Sequence, residues 1–281
     1  MKTWKKIVLG VSLISLFLGG GLVAWGYSQG GLTDLQNKTI SEQDYVKKEV
    51  KDFNKIDIKS SSYNVLIKNG EVDKATLSYY QKTKNPIDTS VKDGQLTIND
   101  NNSELDSTSN KHINFFGLKD LVRLSTLNKE VRNKTIVITL PKKQTIDFLK
   151  VDLATGNLDL SNSTIKQADI NLNVGDLTFT KMIVSNLKAN LDVGSVDSDH
   201  TLFTNSDLSI AMGDYSGDNL IFNGHNKLDV TSGDIEIVLK DYTLNVQADS
   251  HSGKVDITNN LKISKDNTLT ITSDLGDITV E

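Results

Sequence analysis

The sequence predicts an all-β fold: a β-solenoid, or parallel β-helix-like repeat array, preceded by one N-terminal transmembrane helix. Three observations predict this class. Glycines recur at nearly constant intervals in the second half of the chain, and apolar residues recur at fixed offsets from them. A single long uncharged apolar run lies near the N-terminus. Repeats of this kind are typical of solenoids, because one coil cannot bury its apolar face alone and must stack on its neighbours.

The repeat is clearest around seven glycines, which are separated by 19, 19, 19, 20, 20 and 23 residues: Gly156, Gly175, Gly194, Gly213, Gly233, Gly253 and Gly276. The side chain two positions after each glycine is apolar in every copy: Leu158, Leu177, Val196, Tyr215, Ile235, Val255 and Ile278. The position three residues before it is apolar in the first five copies: Leu153, Leu172, Leu191, Ile210 and Val230. Apolar residues spaced by two on either side of a glycine corner predict about three short, half-buried strands per coil.

Stacking of these coils makes a specific structural prediction. Val196, Tyr215 and Ile235 should form one inward-facing ladder with successive Cα atoms about 4.8 Å apart. The alternative is an antiparallel sandwich of meandering strands, which would place Tyr215 and Ile235 on non-adjacent strands. In the last two copies the inward positions before the glycine are shifted by about two residues relative to the other copies. Val246 with Ala248, and Leu269 with Ile271, are predicted to take these positions. The last strand of a solenoid has an open edge, so the end near Val280 is predicted to be exposed unless it is covered.

The uncharged apolar run extends over 19 residues, from Ile7 to Trp25. At about 1.5 Å per residue, a helix of this length can cross a hydrocarbon core of about 30 Å. Three lysines precede the run and should stay in the cytoplasm by the positive-inside rule: Lys2, Lys5 and Lys6. Residues 1–26 are therefore predicted to be a single-pass cell-membrane anchor, with residues 7–25 in lipid and the C-terminal domain extracytoplasmic. A signal peptide cleaved after Gly26 is the alternative, and it would also export the chain.

The remaining chain is predicted to contain a linker, residues 27–50, and an extracytoplasmic β-repeat domain, residues 51–281. Tyr45, Val46 and Val50 have a partly helical spacing, which indicates a short helix or a tether in the linker. Early strands are predicted where apolar residues alternate, with Asp93-Gly94 as a tight turn: residues 53–58, 75–80, 95–98 and 135–140.

An insertion, residues 99–133, interrupts the β-repeat domain. It is polar at first and becomes amphipathic around Phe115 and Phe116. Two aromatic residues are costly to expose without a partner. The insertion is therefore predicted either to pack as a lid on the open end of the solenoid or to contact a partner or a membrane.

Composition excludes several classes of function. The chain has no cysteine, which rules out disulfides, cysteine-ligated zinc, iron–sulfur clusters and thiol catalysis. Only two arginines occur, Arg123 and Arg132, which argues against nucleic-acid recognition. Residues 151–281 hold 20 Asp+Glu against 8 Lys+Arg, a net charge of −12. This half should repel nucleic acid and anionic lipid, and it could attract cations or a basic partner. The simpler interpretation is that Asp and Asn fill the turns and solvent faces of a β protein.

No catalytic constellation is evident in the sequence. Among the residues that follow the repeat glycines, Asp214 and Asp234 should be stacked neighbours with Lys254 next, which is the nearest approach to the acid pair of a carbohydrate-active enzyme. Turn capping by corner carboxylates is the simpler interpretation. The four histidines match no metal-ligand spacing, and the calcium-binding nonapeptide is absent. The prediction is a protein that is not an enzyme, with no catalytic, cofactor-binding or metal residues and no cofactor.

Three corner sequences carry a family resemblance: Thr231 to Ile235, His251 to Val255 and Leu275 to Ile278. With the N-terminal apolar run, they resemble the LiaG-like bacterial adhesin family of cell-envelope β-repeat domains, over residues 51–281. Ser60 to Val65 occupy the family's first corner but lack its glycine. The resemblance implies an association with the cell envelope. Together with the predicted anchor, the repeat array and the absence of a catalytic constellation, it leads to the prediction of a non-catalytic, membrane-anchored envelope protein, an adhesin or an envelope-stress-associated protein. Its partner would be an envelope protein or polysaccharide. The alternative is a β-helix carbohydrate-active enzyme, a polysaccharide lyase or hydrolase.

Overall fold

Three strands make up the most regular coils in the computed structural model, which describes residues 43–82, 86–100 and 134–281. In one coil they are β10 (Leu158–Ser161), β11 (Thr164–Ile165) and β12 (Ala168–Val174). The following coils contain β13 (Leu177–Thr180), β14 (Ile183–Ser185) and β15 (Leu187–Val193), then β16 (Val196–Asp199), β17 (Leu202–Thr204) and β18 (Asp207–Met212), then β19 (Tyr215–Asn223) and β20 (His225–Ser232). Equivalent strands pair in parallel, one repeat apart. The predicted stacking of parallel coils is therefore confirmed, and the antiparallel sandwich does not form.

The coils build two long, mostly parallel sheets, of 15 and 10 strands within the described residues. The first sheet also contains β1 (Gln43–Glu49), β3 (Asn64–Gly70), β4 (Thr76–Lys82), β7 (Thr135–Pro141), β8 (Thr145–Ile146), β21 (Ile235–Leu239), β23 (Val255–Ile257) and β25 (Ile278–Val280). The second also contains β2 (Lys55–Ser60), β5 (Ile87–Lys92), β6 (Gln95–Asp100), β9 (Phe148–Leu153), β22 (Asn245–Ser252) and β24 (Thr268–Leu275). The β4–β7 and β5–β6 pairs are antiparallel.

Ladders of identical inward positions form the core between the sheets. Val196, Tyr215 and Ile235 are consecutive Cα partners, with exposed fractions of 0%, 3% and 1%, which confirms the predicted ladder. The hydroxyl of Tyr215 donates to Ser198 Oγ at 3.3 Å, and burial raises the pKa of Tyr215. A column of aromatic rings adds to the core, with Phe203 5.3 Å from Phe179 and 5.8 Å from Phe222 between ring centroids.

Antiparallel strands lie at the N-terminal end of both sheets. The hairpin of β5 and β6 turns at Asp93-Gly94, where both residues have positive φ, +51° and +74°, so the predicted tight turn is confirmed. Strand β1 neighbours β4, and the ring of Tyr45 lies 4.9 Å from that of Tyr80. The prediction of a short helix is therefore wrong for Gln43–Glu49. The sheet edge overrides a weak local helical pattern, because strand formation depends on available pairing partners.

At the C-terminal end, the order of the coils departs from the order of the sequence. Strands β24 and β25 lie between β20–β21 and β22–β23, so β22 and β23 form the outer edge. The predicted exposure of the end near Val280 is wrong, because Val280 is paired on one side with Ile237 and on the other with Ile257. The larger apolar pair, Leu269 and Ile271, is fully buried between two coils, whereas Val246 and Ala248 are only partly buried at the edge.

Residues 44 to 281 form one compact unit. The predicted anchor, residues 27–42 of the predicted linker and residues 101–133 of the insertion lie outside the described residues. Among the residues that the structure does describe, no helix is long and apolar enough to span a membrane.

Candidate functional site

The glycine corner is the turn that, in the repeating coils, joins a strand of the second sheet to the following strand of the first sheet. Gly194 shows why glycine occupies it. Its φ is +148°, which L-residues rarely adopt, and a Cβ atom there would lie within 3.0 Å of the carbonyl oxygen of Gly175. Gly213 approaches the carbonyl of Gly194 in the same way. Each corner therefore stacks directly on the backbone of the previous corner, and glycine permits this close approach.

The residue after each corner glycine takes part in a hydrogen-bonded ladder. In each coil its side-chain oxygen accepts a hydrogen bond from the backbone N–H of the equivalent residue in the next coil. The donor–acceptor distances run from 2.7 to 3.4 Å along the series Asn64, Asn157, Asp176, Ser195, Asp214, Asp234, Asp277 and Lys254. The ladder links eight successive coils, and it fixes one polar side chain per coil on the outside of the corner.

This ladder changes the predicted order of the corner charges. Asp214 and Asp234 are neighbours as predicted, but Asp277 follows Asp234, and Lys254 comes after Asp277 at the end of the series. The lysine is therefore two coils from Asp234 and not beside it. One oxygen of each of these carboxylates accepts a backbone N–H, which is the turn-capping role that the sequence favoured over catalysis.

The residues before four of the corner glycines form an exposed apolar stripe that sequence reasoning missed. Val174, Val193, Met212 and Leu275 have exposed fractions of 48%, 38%, 58% and 56%, and Ser232 lies between the last two. The signal was present in the sequence as an apolar residue directly before Gly175, Gly194, Gly213 and Gly276. The spacing of two would assign Val174 to the core, because it lies two positions after the inward Leu172, and the structure shows it exposed instead. We call the stripe and the adjacent polar ladder the corner face.

A buried carboxylate closes the corner at the N-terminal end, where the sequence lacks the repeat glycine. Asp100 accepts hydrogen bonds from Ser60 Oγ at 2.6 Å and from the N–H of Ser61 at 3.0 and 3.1 Å. Ser60 Oγ in turn accepts from the N–H of Tyr63 at 3.0 Å, and desolvation and then Asp100 raise the pKa of Tyr63. The first corner, predicted at Ser60 to Val65 without the family's glycine, is therefore present, and Asp100 supplies its hydrogen-bond acceptors.

A second cluster arises at a different corner, where Asp199, His200 and Asp218 meet. Their potential ligand atoms all lie within 4.8 Å of one another, and His200 Nδ1 is 2.6 Å from Asp199 Oδ1. Linear spacing could not reveal this group, because stacking of β16 on β19 brings Asp199 and Asp218 together. Three ligands, of which His200 and Asp218 are exposed and Asp199 is half-buried, are fewer than the four protein ligands of a structural zinc site. Lys181 and Lys240 line the adjacent cavity of about 160 Å³ and oppose cation binding.

The other described histidines take separate places. His225 follows the turn at Gly224, whose φ is +66°, and its Nδ1 lies 3.1 Å from Thr268 Oγ1. His251 is exposed on the edge strand β22. His112 lies outside the described residues.

The fold and the corner face define an all-β scaffold of stacked parallel coils that presents the same two outward positions on successive coils. The chain belongs to the family described as Toastrack DUF4097, whose profile matches residues 53–281. This match covers nearly the same residues as the resemblance to LiaG-like adhesins and confirms it. No curated protein matches the chain.

Several solved structures are similar over most of their length. A putative cell adhesion protein from Clostridium sporogenes is 17% identical, with 85% of this chain and 99% of that chain covered and a TM-score of 0.39. A putative adhesin from Bacteroides fragilis is 15% identical, with 86% and 98% covered and a TM-score of 0.36. A putative lipid binding protein from Parabacteroides distasonis is 10% identical, with 86% and 98% covered and a TM-score of 0.36. The fold assignment rests on the family match and on the strand registers.

Proposed function

We propose that this chain is a non-catalytic adhesin of the bacterial cell envelope, anchored in the membrane by residues 7–25 with its β domain outside the cytoplasm. The observation that carries the proposal is the corner face, in which the same two outward positions recur on successive coils. The spacing between coils is about 4.8 Å, so the face is a regular, rigid surface. Such a surface suits an extended envelope partner, a polysaccharide or a protein.

Two features of the chain support this proposal. The apolar run with three preceding lysines has the length and charge asymmetry of a single-pass anchor. The carboxylates of the corner ladder are bonded to backbone N–H groups, and this arrangement suits coil stacking better than proton transfer to a substrate.

One experiment on cells tests location and adhesion together. The full-length chain carries a C-terminal epitope tag and is expressed in bacteria. We expect protease added to intact cells to remove the tag while a cytosolic marker survives, and the undigested chain to stay with membranes after a high-salt wash. We also expect the detergent-solubilised chain to co-sediment with isolated cell walls.

Paired variants serve as controls for this experiment. Val193→Ser with Met212→Ser alters the corner face and should reduce co-sedimentation, whereas Ile183→Ser alters an equally exposed residue elsewhere and should not. Recovery of an intact, protease-protected chain in the cytosol would contradict the proposed location. Failure of the unaltered chain to bind cell walls would contradict adhesion and leave the location standing.

A further inference from the structure

From the Gly175 coil to the Gly276 coil, before Lys254 ends the ladder, the corner face combines its apolar stripe with charge of a single sign. Three positions flank each corner glycine: the two residues before it and the one after it. Six aspartates and no basic residue occupy these positions in five coils, those of Gly175, Gly194, Gly213, Gly233 and Gly276. The aspartates are Asp176, Asp192, Asp214, Asp234, Asp274 and Asp277. A surface that is both apolar and acidic complements a segment that is both apolar and basic.

Three aspartates of this face are not neutralised by any nearby residue that the structure describes. Asp214, Asp234 and Asp277 are exposed, and none of the three takes part in an ion pair with another described residue. Their hydrogen-bond donors are neutral backbone N–H groups of the next coil. The charges therefore remain available to a cation that lies along the corner.

One segment of the same chain has the complementary composition. Residues 111–132 contain five Lys+Arg and two Asp+Glu, a net charge of +3, and they hold both arginines of the chain. Nine of these 22 residues are apolar: Ile113, Phe115, Phe116, Leu118, Leu121, Val122, Leu124, Leu127 and Val131. The segment lies outside the described residues, so its composition and its attachment points carry the argument.

Both attachment points lie on the corner itself. Asp100, before the segment, is bonded to Ser60 and Ser61, and the carbonyl of Lys134, after it, accepts the N–H of Asn64 at 2.8 Å. Asn64 is the first member of the polar ladder, one coil before Asn157 and two coils before Asp176. The segment therefore leaves and re-enters the β domain at the end of the same corner that carries the corner face.

We propose that the basic segment, residues 111–132, docks along the corner face of its own chain. The stripe from Val174 to Leu275 spans four coil spacings, about 19 Å, and begins about 10 Å from Asn64. The 33 residues between Asp100 and Lys134 extend to about 110 Å, so they can run along the face and return. An envelope partner that binds the corner face would then displace this segment. The docking itself does not depend on the proposed adhesin function.

Thiol labelling of the purified full-length chain tests this proposal directly, because the natural sequence has no cysteine. Met212→Cys places a thiol in the middle of the corner face, and its alkylation by an uncharged maleimide is timed. A segment docked nine-tenths of the time should slow labelling about tenfold. Reversing the charge with Lys119→Glu, Arg123→Glu and Lys129→Glu should restore the fast rate, as should molar salt, which screens the attraction.

Ile183→Cys is the matched control, because Ile183 is similarly exposed at the start of β14, away from the corner face. Its labelling rate should be the same with and without the charge reversal, and circular dichroism should show the same fold for every variant. Equal rates for Met212→Cys in the unaltered and charge-reversed chains would overturn the proposal. Protection that disappears on dilution would also overturn it, and would assign the face to the segment of a second copy.

Discussion

Gly194→Ala is expected to lower the free energy of unfolding by at least about 3 kcal/mol. The new Cβ would lie within 3.0 Å of the carbonyl of Gly175, at a φ of +148°, and the coils on both sides leave the backbone no room to move. Separating these two coils to relieve the overlap would break the ladder hydrogen bond from the N–H of Ser195 to Asp176. Chemical denaturation of the purified chain measures the loss.

Gly70→Ala is the control for this substitution. Gly70 lies at the end of β3 without a positive φ, and a Cβ there would approach only the methyl group of Thr139, at 2.9 Å. The free energy of unfolding of Gly70→Ala should stay within about 1 kcal/mol of that of the unaltered chain. The new methyl group has a small steric cost, but alanine also lowers the conformational entropy of the unfolded chain, which offsets that cost. Unfolding of Gly194→Ala at the same denaturant concentration as the unaltered chain would be inconsistent with stacked glycine corners.

Ile235→Ala is expected to lower the free energy of unfolding by about 2–5 kcal/mol, because it leaves a cavity between two coils. Ile235 is buried between its ladder partners Tyr215 and Ile278, and neither can fill the space without leaving its own coil. Its neighbour Asp234 is exposed, and Asp234→Ala removes one acceptor, the one bonded to the N–H of Asp277 at 2.8 Å. That change should cost on the order of 1 kcal/mol. Equal costs for the two variants would show that Ile235 does not face the core.

The stacked coils were predictable from the sequence, because the pattern that specifies each coil lies within a few residues of its glycine. An apolar residue two positions after each glycine is enough to identify Val196, Tyr215 and Ile235 as one ladder, since every coil repeats the same short-range pattern. The Asp93-Gly94 turn was predictable for the same reason, because only certain residues tolerate its backbone angles.

The parts that were not predicted depend on competition between distant segments. β22–β23 and β24–β25 each satisfy the coil pattern, so local sequence cannot decide which pair lies inside, and the burial of Leu269 and Ile271 decides it. Strand β1 forms because the edge near β4 offers backbone partners. The group of Asp199, His200 and Asp218 exists only because two coils stack, and the corner face was missed because its apolar residues point outward.

Engineered disulfides test the central claim, which is that the corners stack in the order Gly233, Gly276, Gly253. Ser232 and Leu275 are Cα partners in adjacent coils, as are Leu275 and Ser252, so their Cα atoms should lie about 4.8 Å apart, within disulfide range. Ser232 and Ser252 lie two coils apart, about 10 Å, which is too far.

The measurement is disulfide formation by mass spectrometry after mild oxidation of the cysteine-free chain carrying two substitutions. Ser232→Cys with Leu275→Cys should form an intramolecular disulfide, and Ser232→Cys with Ser252→Cys should remain reduced. Disulfide formation between positions 232 and 252, with none between 232 and 275, would mean that the coils stack in sequence order and would contradict the C-terminal half of the corner face.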